Sequence, residues 1–427
     1  MEEVGLKREF LMQNEFSTQR TTCRSCNTAL RHVLVDLGSM PPSNAYLGSA
    51  AAIAAEKAFP LQTVVCDRCW LVQLDHDVAP EYLFHDYAYF SSYSESWLAH
   101  CRAYAEMAIK RFALGANSLV IELASNDGYL LKNFVESKIP VLGVDPSDTV
   151  AKAAIAAGVP TEIAFFGRQT AERLAARGLA ADLVAGKNVL AHVPDPNDFV
   201  AGIPLLLKPN GSITIEFPHL LKLIQHVEFD TIYHEHFSYL SLLAVEALFA
   251  RHGLRVYDVD ELKTHGGSLR IYGCHAADAR PEGAGLHKVR AAERQARLDN
   301  LEAYDTFRVR VEKCRTSLQA FLAKARAQGK RVAGYGAAAK GNTLLNYCGV
   351  TQQDLPFVAD RSPHKQNKLL PGTHIPIKTP EQLLAERPDF VLILPWNLAD
   401  EVVQQLAAVR QWGGQFVVPI PEAQIIT

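Results

Sequence analysis

The sequence lacks any run of about 18 apolar residues, so no membrane-spanning helix is expected. Its opening stretch, Met1 to Phe10, carries Glu2, Glu3, Lys7, Arg8 and Glu9 without an apolar core, which excludes a secretory signal and sets the expectation of a cytoplasmic protein. There is no basic excess either. Lys and Arg number 43 against 46 Asp and Glu, a formal charge of −3, which argues against a general nucleic-acid binder. No short internal repeat and no low-complexity tract is present. What is present is ordinary globular composition, 48% hydrophobic and 21% charged, over 427 residues. At roughly 150 residues per domain, that length suggests about three domains, each able to bury a core.

Cysteine is sparse, eight residues in all, but four of them are patterned. Cys23-x-x-Cys26 and Cys66-x-x-Cys69 stand 39 residues apart. In a reducing compartment paired cysteines point to metal rather than to disulfides. Four thiolates suit tetrahedral Zn²⁺ and leave no open position for catalysis, so the expected role is structural. A redox dithiol needs one pair in a thioredoxin-like setting, which is absent. The gap exceeds ordinary zinc-ribbon spacing, so the intervening chain should loop out, with Phe59–Val65 as a strand entering the second knuckle. Cys101, Cys274, Cys314 and Cys348 are isolated thiols.

Beyond residue 79 the chain alternates strand and helix patterns, the signature of α/β layers with parallel sheets. Glu95–Phe112 reads as a helix and Ser118–Leu123 as a strand. Strands at Pro140–Val144, Asp182–Ala185 and Gly211–Phe217 alternate with helices at Asp148–Ala157 and Asp198–Leu207. Leu254–Tyr257 and Ser268–Cys274 follow as strands. Ala276–Gly285 reads as a linker, and His287–Gln328 as one long polar helix. The alternation then restarts: strand Arg331–Tyr335, helix Ala338–Cys348, strand Leu355–Ala359, a helix opened by the capping box Thr379-Pro-Glu-Gln382, and strands Phe390–Leu394 and Gln415–Pro419. The domains expected are a zinc-binding module over 1–78, a Rossmann-like α/β domain over 79–280 and a second Rossmann-like α/β domain over 281–427.

The first strand of the middle domain runs into Glu122-Leu-Ala124-Ser-Asn126-Asp127-Gly128. A helix opening at such a turn presents amide donors to a ligand. Asp145 ends the next strand, 23 residues beyond Glu122, where an acid can accept both ribose hydroxyls. One glycine, rather than the three of a dinucleotide fingerprint, leaves no pyrophosphate cradle. That favours a nucleoside without phosphates, and S-adenosyl-L-methionine (SAM) fits; an ordinary α/β crossing would show a similar turn. Leu207-Lys-Pro-Asn-Gly211 is a common turn before a strand in methyltransferases of this class.

Tyr233-His234-Glu235-His236 joins a potential general base to a carboxylate able to orient it; a hydrogen-bonded structural His cluster is the plainer reading. His192 follows an apolar strand and is either a catalytic group or a packed histidine. In the last domain, Gly334-Tyr-Gly336-Ala-Ala-Ala-Lys340-Gly-Asn342-Thr343 joins strand to helix, and its small residues, helix N-terminus and lysine suit an anion such as a diphosphate; a tight core crossing would use the same small residues. Its spacing is not that of a Walker loop. Asp360-Arg361-Ser-Pro-His364-Lys365 adds donors beside it. His265-Gly-Gly-Ser268 either contacts a sugar or phosphate or forms a hairpin turn.

Over residues 20–420 the chain resembles the nucleotide-sugar C-methyltransferases, the group that includes the tetronitrose and mycarose C-3 methyltransferases. The resemblance lies in the four-Cys block, in ELASNDG, NVLAHV and YHEHFSY, and in HGGS, GYGAAAKGNT, DRSPHKQ and LPWN, in the same order and spacing. It implies SAM-dependent methylation at C-3 of a 4-keto-6-deoxy sugar carried on a nucleoside diphosphate, with His236 as base and Tyr87, His192, Tyr233 and Glu235 lining the site. It further implies that Pro146 and Asn188 join the SAM site and that Gly336, Lys340, Asn342, Thr343, Arg361, His364 and Asn397, with His265 and Ser268, hold the nucleotide sugar. A sugar O- or N-methyltransferase, or an inactive nucleotide-sugar-binding protein, are the alternatives. No nucleic-acid or membrane partner is expected, and the expected state is a monomer or weak dimer.

Overall fold

The computed structural model describes residues 16–79, 83, 92 and 95–426. Its N-terminal unit is a small antiparallel sheet in which strand His32–Met40 pairs with Phe59–Val65, and Phe59–Val65 with Val72–Leu74. The fourth strand comes from far along the chain. Ser238–Tyr239 lies against Val72–Leu74, with Ser238 opposite Gln73 and Tyr239 opposite Val72. The segment between the cysteine pairs therefore does not simply loop out. It supplies two of these strands and the short helix Ala50–Ala54, capped by Ser49. His32–Met40 is hard to see in sequence because its pairing register slips between Asp36 and Ser39, which breaks the period-2 pattern.

The middle sheet has seven strands in the order Leu254–Leu262, Ser268–His275, Leu207–Pro218, Ala181–Lys187, Val120–Leu123, Val141–Asp145, Thr161–Ile163. The five from Leu207–Pro218 to Thr161–Ile163 are mutually parallel, Ser268–His275 runs antiparallel to them, and the edge strand Leu254–Leu262 pairs antiparallel with Ser268–His275. Val120–Leu123 comes first in the chain but lies inside the sheet. Successive strands build outward on one side of it, then on the other. This reversal opens a crevice at the carboxyl ends of Val120–Leu123 and Ala181–Lys187, where α/β sheets hold ligands.

The last sheet repeats the arrangement with Ile377–Lys378, Val358–Ala359, Val332–Tyr335, Phe390–Ile393, Gln415–Val418 and Gln424–Ile426. Its reversal falls between Val332–Tyr335 and Phe390–Ile393. The final antiparallel strand was not anticipated. The long helix expected over 287–328 is two, Ala284–Gln295 and Phe307–Ala327. Between them Arg297 adopts φ +57, and the Asn300 side chain accepts from the Glu302 N–H, so the backbone finds a local alternative to the helix. Helix Pro196–Leu206 starts earlier than expected because the Asp195 carboxylate accepts from the Asn197 and Asp198 amides. The Thr379–Gln382 capping box forms as read from the sequence.

The cores ignore the boundaries between units. Leu34, Val35, Leu61 and Leu74 of the first unit pack with Leu220, Phe229, Phe307, Leu344 and Leu392. Cys23, Cys66, Cys69 and Leu71 join the core of the middle sheet with Phe217, Leu240 and Phe249. Each such aliphatic or aromatic side chain contributes on the order of 2 kcal/mol by burial, so the three units stabilise one another. Among the described residues no helix is long and apolar enough to cross a membrane.

Candidate active site and metal centre

Cys23, Cys26, Cys66 and Cys69 converge as the pattern predicts, their sulfurs all within 4.8 Å of one another. Without a cation four thiolates could not coexist at this spacing. The Cys66 and Cys69 thiols hold Cys23 low, and Cys23 in turn pushes Cys69 up and Cys66 to about 11. A dication resolves that conflict, and the all-sulfur donor set fits Zn²⁺. The Gln73 amide donates to Cys23 Sγ at 3.1 Å and the Ser25 N–H at 3.4 Å, so the sulfur is oriented from outside the ligand set.

The cysteine unit is in direct contact with the segments that carry His192 and His236. Gln73 lies opposite Ser238 in the sheet, and the Leu74 N–H donates to the carbonyl of Phe237 at 3.1 Å. Arg24, beside Cys23, donates to the carbonyls of Pro194 and Leu74 and lies 5.3 Å from the Phe237 ring centroid. Both histidine-bearing segments, the one ending at Pro194 and the one ending at Phe237, are thus tied to the cysteine unit.

In the middle-sheet crevice, Glu122 is fully buried at the strand end. Neither of its oxygens meets good hydrogen-bond geometry, although the Tyr129 hydroxyl nearby eases the charge, and burial holds its pKa well above the carboxylate range. Gly128 takes φ +78, and a Cβ there would stand 2.9 Å from Val159 Cγ2, so the turn demands glycine on both counts. Asp145 accepts from the Asn126 N–H at 2.8 Å and the Ser147 N–H at 2.9 Å, which fixes its carboxylate at the strand end. Ala124 and Asn126 have positive φ, and Pro146 lies exposed on the rim. Across the crevice Asn188, at φ +55, meets His265 Nε2 at 3.0 Å through Nδ2, and its Oδ1 is buried without a partner. Asp127 Oδ1 is likewise buried and unmatched. An acidic strand end and several unmatched polar atoms around a glycine turn suit the adenosyl and methionine groups of SAM.

A charge network that the sequence reading missed sits beneath this crevice. Glu216 pairs with Lys187, with Arg270 at 2.6 Å and with His100 at 2.8 Å. Burial alone would raise the Glu216 pKa, but Lys187, His100 and Arg270 outweigh it and keep the group ionised. Trp97 stacks on His100 at 5.1 Å and approaches Tyr129 and His265. These residues are scattered between Trp97 and Arg270, and no local spacing announces them.

His236 has the geometry of a base. Its Nδ1 lies 2.9 Å from the Thr231 carbonyl and its Nε2 lies 2.8 Å from the Tyr233 hydroxyl. A carbonyl only accepts, so Nδ1 carries the proton, Nε2 is the basic nitrogen, and Tyr233 donates to it. Burial first, then the nearby His192, push the His236 pKa well below its ordinary value, so the ring is neutral. The His192 and His236 rings meet edge to face at 4.6 Å.

Glu235 differs from expectation. Its carboxylate does not orient His236, whose ring is held by the Thr231 carbonyl. Instead Glu235 Oε1 accepts from Asn44 Nδ2 at 2.7 Å, and burial raises its pKa to about 7. Burial lowers the His192 pKa to about 4, against the pull of the nearby Glu235 main-chain carbonyl. His234 is the structural member of the motif, buried and bonded to the Phe59 carbonyl at 3.2 Å. Tyr87 lies outside the described residues.

In the last domain Gly336 takes φ +87, and a Cβ would stand 2.4 Å from Pro395 Cδ, so the two loops at the sheet reversal touch. Lys340 bridges them, with Nζ on Asn397 Oδ1 at 2.8 Å and over the Trp396 ring. Burial lowers its pKa, against the pull of Asp230 and Glu228. The loop thus places its lysine toward the inter-domain cleft. Asn342 is fully buried with both amide atoms unmatched. Arg361 and His364 are exposed on the flank.

Two expected contacts are used up within the protein. Thr343 is fully buried, bonded to Ser43 and to the Ile232 carbonyl at 3.1 Å each, so it joins domains rather than facing a ligand. Ser268 is buried and donates to the Thr264 carbonyl, closing the hairpin. His265, at φ +57 on that hairpin, does face the crevice through Asn188.

Three family models match the chain: a zinc binding domain over residues 23–84, a methyltransferase domain over 97–259, and a C-methyltransferase C-terminal domain over 263–421. Among curated proteins, the C-methyltransferase NovU of Streptomyces niveus is 38% identical over 405 residues, covering 95% of this chain and 96% of its own. Among solved structures, magnesium protoporphyrin IX methyltransferase from Synechocystis PCC 6803 with bound SAH is 13% identical with a TM-score of 0.33, covering 42% of this chain and 83% of its own. A SAM-dependent methyltransferase from Aquifex aeolicus is 16% identical with a TM-score of 0.31, covering 39% and 87%. Structural likeness at that level carries no argument about the site.

Proposed function

The chain belongs to the C-methyltransferase family and is a SAM-dependent methyltransferase with a zinc-binding domain, and from that premise we propose that it methylates C-3 of a 4-keto-6-deoxy nucleotide sugar, with His236 as the base. The observation that supports this most is the fixed tautomer of His236, which turns a lone pair toward the Tyr233 hydroxyl in a buried setting. A sugar carbon is a poor nucleophile, but a ketone at C-4 spreads the charge left at C-3 onto oxygen. His236 Nε2 takes the C-3 proton while the Thr231 carbonyl steadies the imidazolium through Nδ1–H. For this, Tyr233 first turns its hydroxyl from Nε2 to the C-4 carbonyl oxygen, which frees the lone pair and sets a donor worth about 3 kcal/mol of barrier on the developing enolate. The depressed basicity of the buried ring returns the proton to solvent once the carbon has been methylated.

When bound, SAM supplies an electrophilic methyl on sulfur. Asp145 would hold the ribose hydroxyls, and Glu122, Asn126, Asp127, Gly128 and Asn188 would hold the rest of the cofactor. The glycine loop, the N-terminus of helix Ala339–Tyr347 and Lys340 hold the diphosphate in the second crevice. Anchoring the unreactive nucleotide there serves to position the reacting carbon.

The test is hydrogen exchange. Incubated in deuterated water with a 4-keto-6-deoxy nucleotide sugar and no SAM, the protein is expected to replace the C-3 hydrogen, read by proton NMR. Methyl transfer to such a sugar with no C-3 exchange and with the label on oxygen or nitrogen would overturn the reading. For the cofactor, Asp145→Ala is expected to weaken SAM binding about 10- to 100-fold, as befits hydrogen bonds to a charged group worth about 1.5–3 kcal/mol. Calorimetry giving a Kd within threefold of the parent would remove Asp145 from the site.

A further inference from the structure

The segment between the two cysteine pairs reaches across the molecule. Ser43 Oγ lies 3.1 Å from Thr343 Oγ1, and Thr343 donates to the Ile232 carbonyl just before the Tyr233–His236 motif. The Tyr46 hydroxyl donates to the Ala337 carbonyl in the glycine loop at 2.6 Å. Leu47 and Leu369 exchange backbone hydrogen bonds at 3.0 and 2.9 Å. Farther on, Glu56 accepts from the Gly372 N–H and pairs with His374 at 2.7 Å. Residues 43–56 are therefore fastened to the last domain at four points, and the side chain they carry into the middle of that span is Asn44.

Asn44 is largely exposed, yet its Nδ2 donates at 2.7 Å to Oε1 of Glu235, a residue only 2% exposed. A surface amide paired to a buried carboxylate is unusual for a packing contact. A water molecule would satisfy the amide equally well, whereas the carboxylate has no such exchange inside the protein. The bond thus acts on Glu235 rather than on Asn44. Glu235 in turn immediately precedes His236, whose ring meets that of His192 at 4.6 Å.

We propose that Asn44 is a positioning residue for methyl transfer: delivered by the zinc unit's insertion, its amide fixes the Glu235 carboxylate and so the histidine-bearing segment around it. This rests on the reading that Tyr233–His236 carry the chemistry. Among the described residues the side chain placed against the Glu235 carboxylate is that of Asn44 from the insertion, while His192, from the turn after strand Ala181–Lys187, meets the segment through the His236 ring. Of these, Asn44 contacts the carboxylate directly, and an N–H donor favours its ionised form.

The experiment uses the full-length zinc-loaded protein with Asn44→Ala, Glu235→Ala, which removes the acceptor, and the double variant. With no substrate present, carbon-13 NMR of glutamate side chains is expected to show the Glu235 carboxyl titrating near 7 in the parent and higher in Asn44→Ala. In steady-state assays Asn44→Ala is expected to lower kcat at least tenfold with SAM affinity and zinc content unchanged. The double variant should be no slower than Glu235→Ala alone, because either change removes the one contact. An unmoved Glu235 titration, a kcat within twofold of the parent, or losses that multiply in the double variant would each overturn the proposal. A parent that turns over no nucleotide sugar would instead count against the functional reading, and the NMR titration would still decide whether Asn44 governs Glu235.

Discussion

His236→Asn is expected to lower kcat by at least about a thousandfold, within the range that general acid–base catalysis supplies, while SAM binding stays within twofold. Asparagine can still donate to the Thr231 carbonyl, so the fold of the segment is retained and the lone pair beside Tyr233 is lost. The exchange of the C-3 hydrogen should vanish in the same variant. Full exchange with no methyl transfer would move the base elsewhere. The pH dependence follows from the direction of the shift. Burial and His192 depress the His236 pKa, so Nε2 remains free at neutral pH and is protonated only as the pH falls below the ordinary imidazole range. The acid limb of kcat should therefore lie well under pH 6.5. Stability should fail on the same side. His192, His234 and His265 titrate near 4 when folded, against about 6.5 in an unfolded chain. Between those values the unfolded chain binds more protons, and the fold weakens as pH drops through that window.

Cys66→Ser is the second large effect. Structural zinc binding is worth about 10–16 kcal/mol near neutral pH, as much as the whole stability of a typical domain. The variant should lose zinc and most soluble protein, whereas Cys348→Ser, a buried thiol far from the cluster, should keep one equivalent of metal. Where some Cys66→Ser protein survives, activity should be lost with the metal. Gln73 touches Cys23 on one side and lies opposite Ser238 on the other, so loosening the sulfurs loosens the strand that follows His236. A soluble variant with a full equivalent of zinc and normal turnover would contradict both the ligand set and this linkage.

Much of this was legible in the sequence because the signals are local. The cysteine pairs, the Glu122–Gly128 turn, Asp145 and the glycine loop each declare themselves within a few residues, and each lies where such a pattern should, at a knuckle or at the carboxyl end of a strand. Contacts between units are not local, and these are what the reading lacked. Glu235 was assigned to His236 because they are adjacent, yet adjacent side chains in an irregular segment point apart, and the carboxylate found Asn44, 191 residues away. Thr343 looked like a ligand group because it sits in a glycine-rich loop, but its position one turn into the helix turns it inward to Ser43 and Ile232. The Lys187–Glu216–Arg270 network was invisible for the same reason. The break at residues 296–306 was missed because polar, helix-favouring residues flank it, and the Asn300 cap was not recognised.

The way residues 43–56 grip the last domain bears on any effort to re-engineer what the protein accepts. Exchanging residues 281–427 for those of a relative would leave Thr343, the Ala337 carbonyl and Leu369 of the incoming piece facing a foreign partner. A working hybrid must carry its own Pro41–Glu56 along with its C-terminal half, two stretches far apart in the gene but inherited, in physical terms, as one part.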